Sequence, residues 1–314
     1  MLLQQDWSSR YWTTSVTNQV PHSFTHELPR HLVEFEARNT DLVVSFDFAF
    51  AEKRAPSPRR PWGHKFFSEQ GFSTLGVMVK QTDWYRDPLL HDFLVSLRRD
   101  GFFEQFSKTV FAGGSMGGYA AAAFSGLLPG STVIAFNPQS TLSPALVPWE
   151  TRYQLGRRCD WTGSFADAAQ ECRSASQVYI VYDPHHELDR RHAERFSTAN
   201  VTHLHCPFYG HSLPTHLKRI GALKPFLTAA CQGTLSVADF DRLMTGRKQD
   251  PVFWKKLYER CRQKRRWLRA RKLARLACDR LPDQSEYSSY FRCRLALHEA
   301  RQGKLANAHR LLVG

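Results

Sequence analysis

One stretch limits the fold more than any other. It is Thr109-Val-Phe-Ala-Gly-Gly-Ser-Met-Gly-Gly-Tyr119, followed by Ala120, Ala121, Ala122 and Ala123. An apolar run with a β-branched residue reads as a strand, and the small-residue run behind it reads as a helix. Between them Gly113-Gly114-Ser115-Met116-Gly117 fits G-x-S-x-G, in which the glycines let the chain reverse sharply and hold the serine strained and exposed. A strand feeding a helix through such a turn belongs to a sheet with helices laid on it. The turn also sets a hydroxyl at a helix start, where backbone N–H groups, that of Met116 first, favour a developing negative charge. The spacing of Gly113, Ser115 and Gly118 does not give G-x-G-x-x-G, so a dinucleotide-binding turn fits worse.

The surrounding sequence alternates in the same way. Strands are expected at 32–37, 42–50, 72–79, 132–136, 177–182 and 201–206, and helices at 88–99, 190–198 and 213–230. Residues 1–31 have no clear period and read as a preliminary strand or cover. The segment 52–71 reads as a loop with Pro56, Pro58 and Pro61; its Arg54, Arg59, Arg60 and Lys65 hint at an anionic group near a pocket. Residues 138–164, with Trp149, Tyr153 and Trp161, read as a short lid. Short crossovers between these elements imply an α/β fold, a mainly parallel sheet with helices on both faces.

Past Gly233 the pattern is helical throughout, with helices expected at 239–245, 251–280 (broken), 286–302 and 304–313. The expected organisation is an α/β domain over 1–232, with its core at about 32–230 and its lid at 138–164, and a basic helical segment over 233–314. In that segment Trp267, Ala270, Leu273, Ala274 and Ala277, ending at Leu281-Pro282, are echoed by Leu295 to Ala308. This resembles tetratricopeptide-type helical hairpins over fewer than two repeats. So short an array should pack on the first domain or on a protein partner.

The chain of 314 residues carries a formal charge of +14. Much of it falls near the C-terminus, in Lys255, Lys256, Arg260, Arg262, Lys264, Arg265, Arg266, Arg269, Arg271, Lys272 and Arg275. Such a face attracts anions, but no RNA- or DNA-binding motif accompanies it, which argues against nucleic acid as the partner. No apolar run approaches the roughly 20 residues of a membrane span. No secretion signal is read at the N-terminus, and the 7 cysteines form no C-x-x-C pair, so reduced thiols in a cytoplasmic protein are expected. The 14 histidines, His185-His186 among them, show no zinc spacing, and no metal or cofactor is expected.

A serine nucleophile needs a base, and the base needs an orienting acid. Ser115, Asp183 and His211 each fall just after an expected strand, where polar groups converge at the carboxyl edge of a parallel sheet. Asp183 is preferred as the acid because it directly follows its strand; Asp189 stays open, with neighbours that look like a helix start. His211 lies in a glycine-containing loop, whereas His203 and His205 lie inside a strand and His216 inside a helix.

Through Gly113-Gly114-Ser115-Met116-Gly117, Asp183 and Gly210-His211, the chain from about 32 to 230 resembles the α/β-hydrolase superfamily, in particular compact bacterial esterase-like members. The resemblance implies a Ser-His-Asp serine hydrolase acting on a carboxylic ester, with no cofactor. It also implies an oxyanion site made by the Met116 N–H and a second backbone N–H, from Phe48 or Ala49. The His-Gly run that often supplies that second donor is missing after the early strand. The same triad serves acyl transfer to a sugar or other hydroxyl, with the lid aromatics as a stacking surface, and the substrate is expected to be a small-molecule or glycan-linked acyl group. A non-catalytic binding protein that docks through its basic helices is the other class.

Overall fold

The computed structural model describes residues 21–54, 58–281 and 286–313. Most of the preliminary N-terminal stretch, Pro56 and the helix-ending Pro282 lie outside the described residues. Among the described residues eight strands form one sheet: β1 (Phe24–Glu27), β2 (His31–Glu36), β3 (Asp41–Phe46), β4 (Ser73–Val79), β5 (Lys108–Gly114), β6 (Thr132–Phe136), β7 (Gln177–Tyr182) and β8 (Val201–His205). Their order across the sheet is β1-β2-β4-β3-β5-β6-β7-β8. The pairs β1–β2 and β2–β4 are antiparallel, and the other pairs are parallel.

The central strands read as unbroken apolar runs because both faces of the sheet are covered. Leu42, Val44 and Phe46 of β3 join one core, with Phe111 of β5, Val133 of β6 and Ile180 of β7. Their neighbours Val43, Val110, Ile134 and Val181 join the other. On the first face lie Pro88–Arg99, which buries Leu90, Phe93, Leu94 and Leu97, and the serine-bearing helix Met116–Phe124, buried along its whole length. Asp87 caps the former by accepting from the Leu89 N–H, and Pro88 starts it with its φ already fixed.

The second face carries Leu213–Arg219 and Leu223–Gln232, two helices where the sequence reads as one. The break falls at Gly221, whose φ of 72° is open to glycine at little cost. Two further readings shift. The expected strand 42–50 stops at Phe46 and gives way to a turn and the short helix Ala51–Arg54. The loop 52–71 also contains the helix His64–Glu69.

The C-terminal helices Val237–Leu243, Pro251–Gln263, Trp267–Arg280, Glu286–Ala300 and Leu305–Val313 follow. Phe240, Met244, Phe253, Trp254, Tyr258, Ala270 and Ala274 belong to the same buried cluster as Val43, Ile134 and Tyr179. The appendage therefore continues the core of the sheet. Its first long helix is pinned by Asp250, which caps Val252 and meets Arg219 at 3.3 Å. No helix among the described residues is long and apolar enough to cross a membrane.

Candidate active site

The turn after β5 is a consequence of close packing. A Cβ on Gly113 would lie 2.3 Å from the Gly117 carbonyl oxygen, and one on Gly117 would lie 2.4 Å from the Phe46 carbonyl oxygen and 2.7 Å from that of Asp47. The helix start is thus pressed onto the ends of β5 and β3, and both flanking glycines are needed for that approach. Their own φ angles are not positive. The strain falls on Ser115 instead, at φ 56° and ψ −120°, a region sparsely populated by side-chain-bearing residues. The turn is held by the Ser115 N–H donating to Phe136 and the Tyr119 N–H donating to the Ser115 carbonyl.

Ser115 Oγ lies 2.9 Å from His211 Nε2. His211 Nδ1 lies 2.7 Å from Oδ2 of Asp189, not of Asp183. A carboxylate accepts, so Nδ1 carries the proton and Nε2 is left free to accept from the serine hydroxyl. Asp189 is fully buried, whereas the His211 side chain is 31% exposed and open to a substrate.

The preference for Asp183 is corrected for a definite reason. Both of its carboxylate oxygens are taken by backbone: Oδ1 accepts from the His185 N–H at 2.9 Å, and Oδ2 from the Gly210 N–H at 2.7 Å. It braces the loop that carries His211 without touching the ring. Asp189 sits in the first turn of the helix Glu187–Ala193, and the helix start that counted against it is what carries its side chain back toward His211. Asn137, at the end of β6 with φ 41°, donates from Nδ2 to the His211 carbonyl at 2.7 Å.

Asp189 has further partners that the sequence reading missed. Arg152 donates to its Oδ1 at 2.6 Å and to Glu150 Oε2 at 2.6 Å. Glu150 faces His192 Nε2 at 3.0 Å, and His192 Nδ1 accepts from the Ser140 N–H at 3.1 Å. Burial by itself would raise the Asp189 pKa; the hydrogen bond from His211 and the charges of His211, Arg152 and His186 outweigh it and hold the group below the ordinary carboxylate range. Glu150 is governed the same way: burial opposes ionisation, yet the hydrogen bonds from His192 and Arg152 bring it to about 2. His192 is lowered chiefly by burial. It serves as a neutral relay between Ser140 and Glu150.

Of the three lid aromatics, one reaches the site. Tyr153 Oη lies 3.4 Å from His211 Nε2, which is itself 2.9 Å from Ser115 Oγ. Its ring rests against Trp84 at 5.0 Å and under the Arg152 guanidinium. Burial pushes its pKa up to about 12, so it stays a donor at neutral pH. Trp149 packs on His192, and Trp161 packs on Tyr119, so the three do not share one stacking surface. The hint from the 52–71 basic residues also changes: Arg59 pairs with Asp47, Arg60 with Glu34 and Glu36, and Lys65 with Glu69. The Phe48–Ala49 backbone leaves β3 from the contact with Gly117, beside the serine turn, and the Phe48 carbonyl accepts from the Ala51 N–H.

Among the described residues two groups of side chains have metal-ligand chemistry. In the first, His31 Nε2 faces Asp83 at 3.2 Å and Nδ1 faces Asp87 at 3.7 Å, so no single ion could use both contacts. In the second, Arg60 already spans Glu34 and Glu36 beside His64.

The sequence matches no family model, and no curated protein matches it either. Solved structures do resemble the fold. The capsule O-acetyltransferase of Neisseria meningitidis serogroup A is 13% identical with TM-score 0.45, covering 70% of this chain and 97% of its own. Est1E from Butyrivibrio proteoclasticus is 14% identical with TM-score 0.44, covering 66% and 98%. FphF, a fluorophosphonate-binding serine hydrolase of Staphylococcus aureus, is 11% identical with TM-score 0.44, covering 67% and 97%. The fold itself rests on the chain's own sheet, mainly parallel and covered by helices on both faces. At these identities the likeness concerns the fold alone, and the chemistry has to come from the residues.

Proposed function

We propose that the protein is a serine-dependent enzyme of acyl chemistry that hydrolyses carboxylic esters through Ser115, His211 and Asp189. The observation that carries this reading is the unbroken pair of hydrogen bonds, 2.9 Å from Ser115 to His211 and 2.7 Å from His211 to Asp189. As Ser115 Oγ attacks the ester carbonyl, His211 Nε2 takes its proton, and Asp189 steadies the imidazolium. The carbonyl oxygen becomes an oxyanion at the start of the helix Met116–Phe124, where the Met116 N–H and the helix dipole receive it. A second backbone N–H from Phe48 or Ala49 completes that site. His211 returns the proton to the leaving alkoxide, and water repeats the sequence on the acyl-enzyme.

Tyr153 adds an uncharged donor on the His211 side of the serine, where the leaving oxygen departs. A docking protein would have no need of a histidine held at hydrogen-bond distance from a strained serine. The test is fluorophosphonate labelling together with turnover of short-chain nitrophenyl esters. Label is expected on the wild type and absent from Ser115→Ala; equal label on both overturns the reading. Adding a hydroxyl acceptor and analysing the products separates transfer from hydrolysis.

A further inference from the structure

A cleft of about 530 Å³ lies where the loops at the ends of β7 and β8 meet the helices Pro251–Gln263 and Trp267–Arg280. Five cations line it, Arg260, Lys264, Arg266, Arg269 and Lys272, and no carboxylate does. Among the described residues none of the five forms an ion pair, whereas Arg271 on the same helix pairs with Glu299 at 2.5 Å. Like charges gathered in one concavity repel one another, and an anion placed among them relieves that repulsion.

The cleft is not polar throughout. Phe208, Leu257 and Leu273 give it apolar surface. One side chain of the sheet domain, His185, closes it on the side of the proposed active site, with its ring 4.4 Å from that of Phe208. Burial first, and then the charges of Arg260 and Lys264, lower the pKa of His185, so the field of those cations reaches that wall. Asp183 binds the His185 N–H and the Gly210 N–H together. The cleft and the His211 loop therefore share one brace.

A single carboxylate would neutralise one of five cations, and a flat anionic surface would not enter a cleft walled on two sides. Phosphate groups carry more charge per volume and match guanidinium geometry with paired hydrogen bonds. The volume falls within the range of about 300–1,000 Å³ usual for small-molecule sites, which favour such seams between structural units. We propose that this cleft binds a small organic polyphosphate, with its phosphates among the five cations and its apolar portion on Phe208, Leu257 and Leu273. The proposal goes beyond the ester-hydrolase reading and does not depend on it.

The experiment is titration calorimetry of the full chain with ADP, coenzyme A and inorganic pyrophosphate, at low and at physiological salt, with long-chain heparin as competitor. One-to-one binding of ADP or coenzyme A is expected, tighter than that of pyrophosphate and weakened by salt. Joint replacement of Arg260, Arg266 and Arg269 by Gln should weaken it about tenfold or more, with the thermal midpoint checked for folding; Lys272→Glu, at an exposed site, gives a milder loss should the triple variant unfold. Leu273→Ala should weaken ADP and coenzyme A but not pyrophosphate. Ser115→Ala should bind as the wild type does, so a wild type that binds ADP or coenzyme A but hydrolyses no ester overturns the catalytic reading alone. No saturable binding of ADP or coenzyme A at millimolar concentration, affinity untouched by the charge variants, or binding of heparin alone overturns the cleft proposal.

Discussion

The surroundings of Ser115 and the seam beneath the C-terminal helices treat positive charge in opposite ways. Around the serine three arginines answer to carboxylates: Arg152 to Glu150 and Asp189, Arg195 to Asp167, Arg59 to Asp47. In the seam, Arg260, Lys264, Arg266, Arg269 and Lys272 answer to none among the described residues. Paired buried charge is held in one geometry, which suits groups that must stay aligned for a reaction. Unpaired charge at a rim has no partner to lose, which suits a site that waits for an anion. The same chain thus spends its few carboxylates where alignment matters.

The largest expected effect removes the nucleophile. Ser115→Ala should lower kcat by about 10⁴- to 10⁶-fold, read in steady-state ester hydrolysis. Next come the two aspartates, of which the sequence favours Asp183 and the structure sets Asp189 against His211. Asp189→Asn should cost about 10³- to 10⁴-fold in kcat by spoiling the tautomer of His211. Asp183→Asn should keep most of kcat while lowering stability by about 1–3 kcal/mol, because a buried backbone N–H loses its carboxylate. Denaturant titrations and kinetics on both variants measure this, and the reverse outcome would return the triad role to Asp183.

Smaller still is Arg152→Met, for which a loss of about tenfold in kcat is expected. Its pH signature is more telling. The folded-state pKa values of Asp189 and Glu150 lie below the unfolded values, so their stabilisation is present above the unfolded pKa and is lost as pH falls through the folded one. Removing Arg152 raises both, which should move the acid-unfolding midpoint and the acid limb of the rate profile to higher pH. An unmoved midpoint would detach Arg152 from the network. The smallest effect belongs to the seam: Arg269→Gln should raise the melting temperature by about 1 °C at low salt and by less as salt increases. A fall instead would mean that Arg269 has a structural partner.

The alternation of strands and helices was legible because each element has its own period and both faces of the sheet are apolar. The serine turn was legible for a related reason, since glycines at 113 and 117 are dictated by backbone contact and leave a fixed spacing. His211 could be placed by its loop and its glycine. The acid could not, because choosing between Asp183 and Asp189 depends on which carboxylate is already occupied by backbone N–H groups, and that is fixed by the return of the chain at Gly210. Arg152 and Asn137 were hidden for the same reason, and Tyr153 was read only as a lid aromatic: a lid folded over a site brings together residues with no sequence rhythm between them. Asn137 left a trace of its own, a polar residue ending an apolar strand at the carboxyl edge.

The buried cluster shared by the sheet and the C-terminal helices also bears on how the chain is made. Synthesis delivers Val43, Ile134 and Tyr179 long before Phe240, Phe253 and Tyr258, which cover part of the same face. Until the tail has emerged, the growing protein carries an oily patch that it cannot yet hide, and patches of that kind invite self-association. A chain cut near Gly233 would keep Ser115, Asp189 and His211 and still be expected to precipitate, so its tail acts as the last act of folding as well as a surface for anions.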